Sequence, residues 1–471
     1  MTDLHDLSLA EIGARLRDGR LKAAALAEHA IDRHERYGKP LNAYKHWAPA
    51  DARQAAGAAD AAFAAGSDLG PLQGIPVSVK DLFGVTGMPI FGGSPQPLPK
   101  RFEEEGPVVT ALRRQAAIFT GKTHTVEFAY DGLGVNPHWG APRNPWDAKA
   151  HRLPGGSSSG AGVSLLEGSA WVALGSDSGG SVRMPASWTG TVGFKISHGR
   201  WSIDGIVPFS PSLDSPGPLT RSVADAAVAF AAIDPHADRA RLSRDLEHAT
   251  AADFRVGTPD TYFWDHCAPG VAEGVKGALD ELARAGTRME KRDLPEAAEA
   301  HGAAITRGNV AGVEFLASMR AELPAWLETL NPILAGRLAG PDDAAHVAAS
   351  DYFLGLKALK RLSAAAQARL AGIDVLACPT IVSSPPTENE VAALDAYLPH
   401  NRRLHQNTYP INLLGLCALT MPVALDKAGI PVGLQLIAKH GEDERLLAAA
   451  YAFEKVLGNG RQRLGAPPLC R

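Results

Sequence analysis

Lys80, Ser157 and Ser181 are three side chains whose types and order suit one piece of chemistry, a proton relay that ends in a nucleophile. The serines lie in two glycine-rich turns, Gly155-Gly156-Ser157-Ser158-Ser159-Gly160 and Ser176-Asp177-Ser178-Gly179-Gly180-Ser181. Successive glycines let backbone N–H groups turn inward to hold a developing oxyanion, and a lysine kept neutral takes a proton from a serine. Two glycines precede Ser181, which leaves room for the amides of Ser178, Gly179, Gly180 and Ser181 to converge on one carbonyl oxygen. A free lysine has a pKa of about 10.4 and is charged at neutral pH. The base role therefore requires burial and hydroxyl partners, and Val77, Val79, Leu82 and Phe83 around Lys80 supply an apolar setting. Taken singly, each part has a plain alternative: a Gly-Ser loop, a polar turn, a surface lysine. Asp177 reads as a turn-fixing carboxylate, and Ser159 as part of a polar turn.

The order Lys80, Ser157, Ser181 closely resembles the amidase signature family of Ser-Ser-Lys amidohydrolases. Further segments carry the resemblance along most of the chain: Arg143-Asn144-Pro145-Trp146-Asp147, Val182-Arg183-Met184-Pro185-Ala186, Gly217-Pro218-Leu219-Thr220, Cys378-Pro379-Thr380 and Gly433-Leu434-Gln435-Leu436. Ser178 stands where the family more often has threonine, and Cys417 where it often has proline. The resemblance implies an α/β fold of the α/β/α type, a large mixed central sheet covered by helices on both faces. It also implies hydrolysis of a C–N amide bond without a cofactor, with Ser157 following a cis peptide bond and relaying the Ser181 proton to Lys80. Esters, anilides and carbamates offer the same electrophile.

Arg183 has two readings, a clamp on nearby backbone carbonyls or a contact to a polar substrate end. Met184 reads as an apolar substrate contact, favouring a small, largely uncharged amide. A rival, tRNA-linked amidotransferase subunit usually carries glutamine where this chain has Met184. A second rival is an α/β-hydrolase, because Gly156-Ser157-Ser158-Ser159-Gly160 also satisfies GxSxG with Ser158 as nucleophile and His405 or His440 available. That reading leaves Lys80 and the Ser181 turn without roles. None of the 16 histidines forms a metal signature, so no metal is expected. His124, His138 and His151 read as packing or loop residues.

With 45% hydrophobic and 21% charged residues in 471, the balance is that of a soluble globular protein. A formal net charge of −4 offers no basic face for nucleic acid. Four scattered cysteines and the lack of a long apolar run point to the cytoplasm rather than to secretion or a membrane. The expected partner is a small-molecule amide, with a homodimer left open.

These residues need a scaffold. Residues 1–70 read as helices, beginning with an N-cap at Ser8. Residues 71–220 read as strands and functional loops, 221–372 as a helical insertion covering the sheet, and 373–471 as the segment completing it. The expected whole is one domain over 1–471. Leu165 to Leu174 is a helix-to-strand connection that carries both serine turns to one edge of the sheet, and Pro385-Pro386-Thr387-Glu388-Asn389 reads as a surface connection.

Overall fold

The computed structural model describes residues 3–306, 309–338 and 346–471. Its strands are β1 (Tyr44–Trp47), β2 (Pro76–Lys80), β3 (Ile118–Thr123), β4 (Val172–Ser176), β5 (Val192–Lys195) and β6 (Pro216–Thr220), then β7 (Arg255–Thr258), β8 (Arg288–Lys291), β9 (Val375–Pro379), β10 (Cys417–Leu425) and β11 (Pro431–Ala438). They form one 11-stranded sheet in the order β1-β3-β2-β4-β6-β5-β10-β11-β9-β7-β8. The sheet is mixed. β3, β2 and β4 run parallel, β4 through β9 pair antiparallel, and β9, β7 and β8 are parallel again.

Every residue of β2 to β6, β9 and β11 is buried. Successive strand side chains point to opposite faces, so full burial means that helices and loops cover both faces. That is the α/β architecture expected, and it explains why Val77-Ser78-Val79 carries no polar face.

The local signals at the N-terminus hold. Ser8 caps the Leu9–Arg17 helix: its hydroxyl accepts from the Glu11 amide at 3.3 Å, while the Glu11 carboxylate accepts from the Ser8 amide at 2.9 Å. Three expectations need revision. The helical N-terminal region also contains β1, an antiparallel edge strand on β3. Its sequence, Tyr-Lys-His-Trp, has no apolar alternation to announce it. The segment 221–372 is likewise not helical throughout, since β7 and β8 extend the sheet beyond β9. β8 is half-exposed and polar, an edge whose pairing is set by its neighbour rather than by its own pattern. The stretch 385–389 is no free surface connection either. Pro385 and Pro386 are buried, and their carbonyls accept from Arg152 Nη1 at 2.7 Å and the Leu153 amide at 3.1 Å, bracing the approach to the first serine turn.

Candidate active site

Parallel pairing of β2 with β4, Val77 opposite Val172 and Val79 opposite Leu174, brings the ends of both strands side by side. Lys80 ends β2 and Ser176 ends β4. Ligand sites in such sheets gather at the carboxyl ends of parallel strands, and both serine turns lie there. The first turn precedes the Ala161–Glu167 helix and the second the Arg183–Thr189 helix.

Lys80 is completely buried. Its Nζ donates to Ser157 Oγ at 2.8 Å and to Ser176 Oγ at 2.9 Å, with the Ser176 carbonyl at 3.5 Å. Among the described residues no carboxylate lies within ion-pairing distance of Nζ. Burial pushes the Lys80 ammonium down to about 7, against the opposing fields of Asp214 and Asp177. The peptide bond between Gly156 and Ser157 is cis. The two turns touch where the Ser158 amide donates to the Ser181 carbonyl at 3.3 Å. Ser176 is a site residue that sequence reasoning passed over. The only signal for it was its place at the start of the second turn.

Asp177 organises that second turn. Its carboxylate accepts from the Gly180 amide at 2.8 Å, the Val182 amide at 3.2 Å and Arg183 Nε at 3.0 Å. Burial alone would raise this carboxyl, yet the Arg183 guanidinium and its hydrogen bonds hold it well below the usual carboxylate range. Of the four amides expected to meet an oxyanion, that of Gly180 is therefore already engaged. Gly180 has φ +126, and a Cβ there would lie 2.3 Å from Thr408 Oγ1, so only glycine fits. Ser178 Oγ donates to buried Asp214, whose carboxyl burial pushes up.

The structure corrects the substrate contacts expected from Arg183 and Met184. Arg183 is fully buried, with Nη1 on Gln435 Oε1 at 2.7 Å and Nη2 on Asn412 Oδ1 at 2.6 Å, the Thr408 carbonyl at 3.0 Å and Asp177 at 2.9 Å. It is the clamp of its two readings. Met184 packs in a buried apolar cluster with Leu133, Leu153 and Trp188, beneath Gly180 and Gly132. Both residues lie on the first turn of a short helix that faces the core, so closeness in sequence to Ser181 does not bring them to the substrate.

Ser178, Gly179 and Ser181 line a cavity of about 350 Å³ that also includes Tyr130, Arg337 and Tyr409 in its wall. A larger cavity of about 700 Å³ lies between the N- and C-terminal segments, but Lys80, Ser157 and Ser181 are all absent from its lining. We take the smaller one as the site because it holds the serine turn. Ser158 is buried and donates to the Ser176 carbonyl at 3.4 Å. Of its two suggested histidine partners, His405 lines the cavity but bonds the Asn401 carbonyl, and His440 bonds that of Gly415. Among the described residues no group of three or more His, Cys, Asp or Glu is placed to hold a metal ion, and no helix is long and apolar enough to cross a membrane.

The family model described as Amidase matches residues 25–447. The chain belongs to the amidase family and is an enzyme that hydrolyses C–N amide bonds. Over 98% of its length it is 46% identical to a 2-amino-5-chloromuconic acid deaminase of Comamonas testosteroni, 99% of which is covered. It is 34% identical to a glutamyl-tRNA(Gln) amidotransferase subunit of Aromatoleum aromaticum, over 95% of this chain and 96% of that one. A crystal structure of an amidase superposes with a TM-score of 0.84 at 30% identity, covering 96% of this chain and all of the other. Native peptide amidase from Stenotrophomonas maltophilia does so at 0.77 and 26%, covering 96% and 97%.

Proposed function

We propose that Ser181 is the nucleophile and forms an acyl-enzyme with a small amide, Ser157 and Lys80 relaying its proton. The observation that carries this reading is a buried lysine with no carboxylate partner among the described residues, hydrogen-bonded to Ser157 beside the Ser181 turn. Ser181 Oγ attacks the carbonyl carbon and gives its proton to Ser157 Oγ, whose own proton passes to the free pair of Lys80 Nζ. The amides of Ser178, Gly179 and Ser181 meet the tetrahedral oxyanion. As that intermediate collapses, the relay returns a proton to the departing nitrogen. Water then attacks the acyl-enzyme by the same route. Anilides, esters and carbamates present the same carbonyl and are candidate side substrates.

Phe209, Leu394 and Leu398 in the cavity wall favour a largely apolar acyl group. A second reading, a carboxylate-bearing substrate, is favoured by Arg337 in the same wall and by the amino-muconic acid named for the Comamonas relative. The four free thiols support a cytoplasmic setting. The test is a panel of neutral and carboxylate-bearing amides, with mass spectrometry of the trapped intermediate. An acyl group on Ser181 and loss of turnover in Ser181→Ala are expected. Label on Ser158 with an active Ser181→Ala would give the site to the hydrolase rival. Turnover should need neither a partner nor ATP, whereas glutamine hydrolysis only with both would assign the chain to the tRNA-linked amidotransferases.

A further inference from the structure

His301 and His405 line the cavity that holds Ser181, and neither has a part in the relay. Their protonation follows from their partners. His405 Nδ1 lies 2.8 Å from the Asn401 carbonyl, which can only accept, so this nitrogen carries the proton. The Tyr262 hydroxyl spends its one proton on the Gln406 carbonyl at 2.9 Å, so in its 2.8 Å contact with His301 the donor is Nδ1. Burial pushes both imidazoles down, that of His405 to about 4, which keeps them neutral at ordinary pH. In each ring Nε2 is then a bare acceptor.

His405 is the better placed of the two. Both rings stand edge-on to Tyr409, with centroids 6.0 and 6.3 Å away. The His405 ring is wedged between two glycines: a Cβ on Gly132 would lie 2.5 Å from its Cε1, and one on Gly179 would lie 3.4 Å from Cδ2 and 3.8 Å from Nε2. The edge carrying Nε2 thus faces the turn two residues before Ser181. Among the described residues this Nε2 has no hydrogen-bond partner.

A carbonyl oxygen at the turn amides would be repelled by that lone pair, and an apolar acyl group offers it no hydrogen. The remaining substituent on the reacting carbon is the nitrogen. We propose that His405 Nε2 accepts an N–H of the scissile amide, which makes His405 a specificity residue for substrates with a hydrogen on the departing nitrogen, primary amides foremost. The inference rests on Ser181 as nucleophile.

The experiment compares kcat/KM for a primary amide and the methyl ester of the same acid, in wild type, His405→Leu and His405→Gln. In His405→Leu the amide-to-ester ratio should fall about tenfold or more, the loss of one substrate hydrogen bond, while ester turnover stays within about threefold. His405→Gln, whose amide oxygen also accepts, should hold the ratio to within about threefold. An unchanged ratio in His405→Leu overturns the proposal. So does equal loss of ester and amide, which would make the ring a prop for the Gly179 turn. Persistent turnover in Ser181→Ala would instead remove the nucleophile assignment, whatever the ratio.

Discussion

Two lysines are buried at the carboxyl ends of neighbouring parallel strands, Lys80 on β2 and Lys122 on β3. Lys122 has Asp81 at 3.5 Å and donates to the Phe83 carbonyl at 2.5 Å. Among the described residues Lys80 Nζ has only oxygens of Ser157 and Ser176 as hydrogen-bond partners. Burial lowers both ammonium groups, but Asp81 opposes this at Lys122 from within ion-pair range. The same side chain thus lies beside a carboxylate in one case and among hydroxyls in the other, which is the setting the proposed base requires. Burial alone does not make a catalytic lysine. The nature of its neighbours does.

Substitution separates the two most sharply. Lys80→Met should lower kcat by about 10²- to 10⁴-fold, the scale of a lost general base, with only a small loss of stability, because methionine leaves two hydroxyls short of a donor but no unpaired charge. Lys122→Met should do the reverse. It strands Asp81 in the interior, so unfolding by denaturant should show a loss of about 3–5 kcal/mol while the folded fraction keeps its kcat. Equal loss of activity in both variants would break the comparison.

The pH profile is the next test. Lys80 acts as base only when unprotonated, so kcat/KM should fall as pH drops through about 7 and be level on the alkaline side. Stopped assays on a good substrate read this directly. A profile with no inflection in that range would put Lys80 in the same class as Lys122.

Smaller effects sharpen the picture at the hydroxyls. Ser176→Ala removes one of the two hydroxyls on Nζ and should cost about tenfold in kcat/KM. Ser158→Ala, which loses only a long bond to the Ser176 carbonyl, should change kcat/KM by less than about threefold. A larger effect at Ser158 than at Ser176 would mean that the relay runs through the wrong serine.

The residues of the proposed relay were legible in the sequence because they lie in two short turns and one strand end, where glycine spacing and residue type suffice to single them out. The sheet was legible where strands are fully buried, as at β2 and β9, and illegible where polar edges take their pairing from a neighbour, as at β1 and β8. Arg183 and Met184 show another limit. Their positions next to Ser181 were plain, but the direction in which a helix points its side chains is set by what packs on it. The cavity wall was hardest, since His301, Arg337 and Tyr409 meet Ser178 only through tertiary structure.

The Asp177–Arg183 clamp also bears on how the enzyme comes into being. Its other acceptors, Thr408, Asn412 and Gln435, lie more than two hundred residues downstream. During synthesis, a nascent chain that has emerged as far as residue 372 already contains Lys80 and both serine turns. Its guanidinium at 183 has Asp177 but none of the distant acceptors, and Gly180 has no Thr408 against which to close. Such long-range contacts form late in folding. The Ser181 turn is therefore finished by the helix over Tyr409–Leu413 and by β11, which carries Gln435, and a ribosome-bound fragment holds the parts of a hydrolase without the tool.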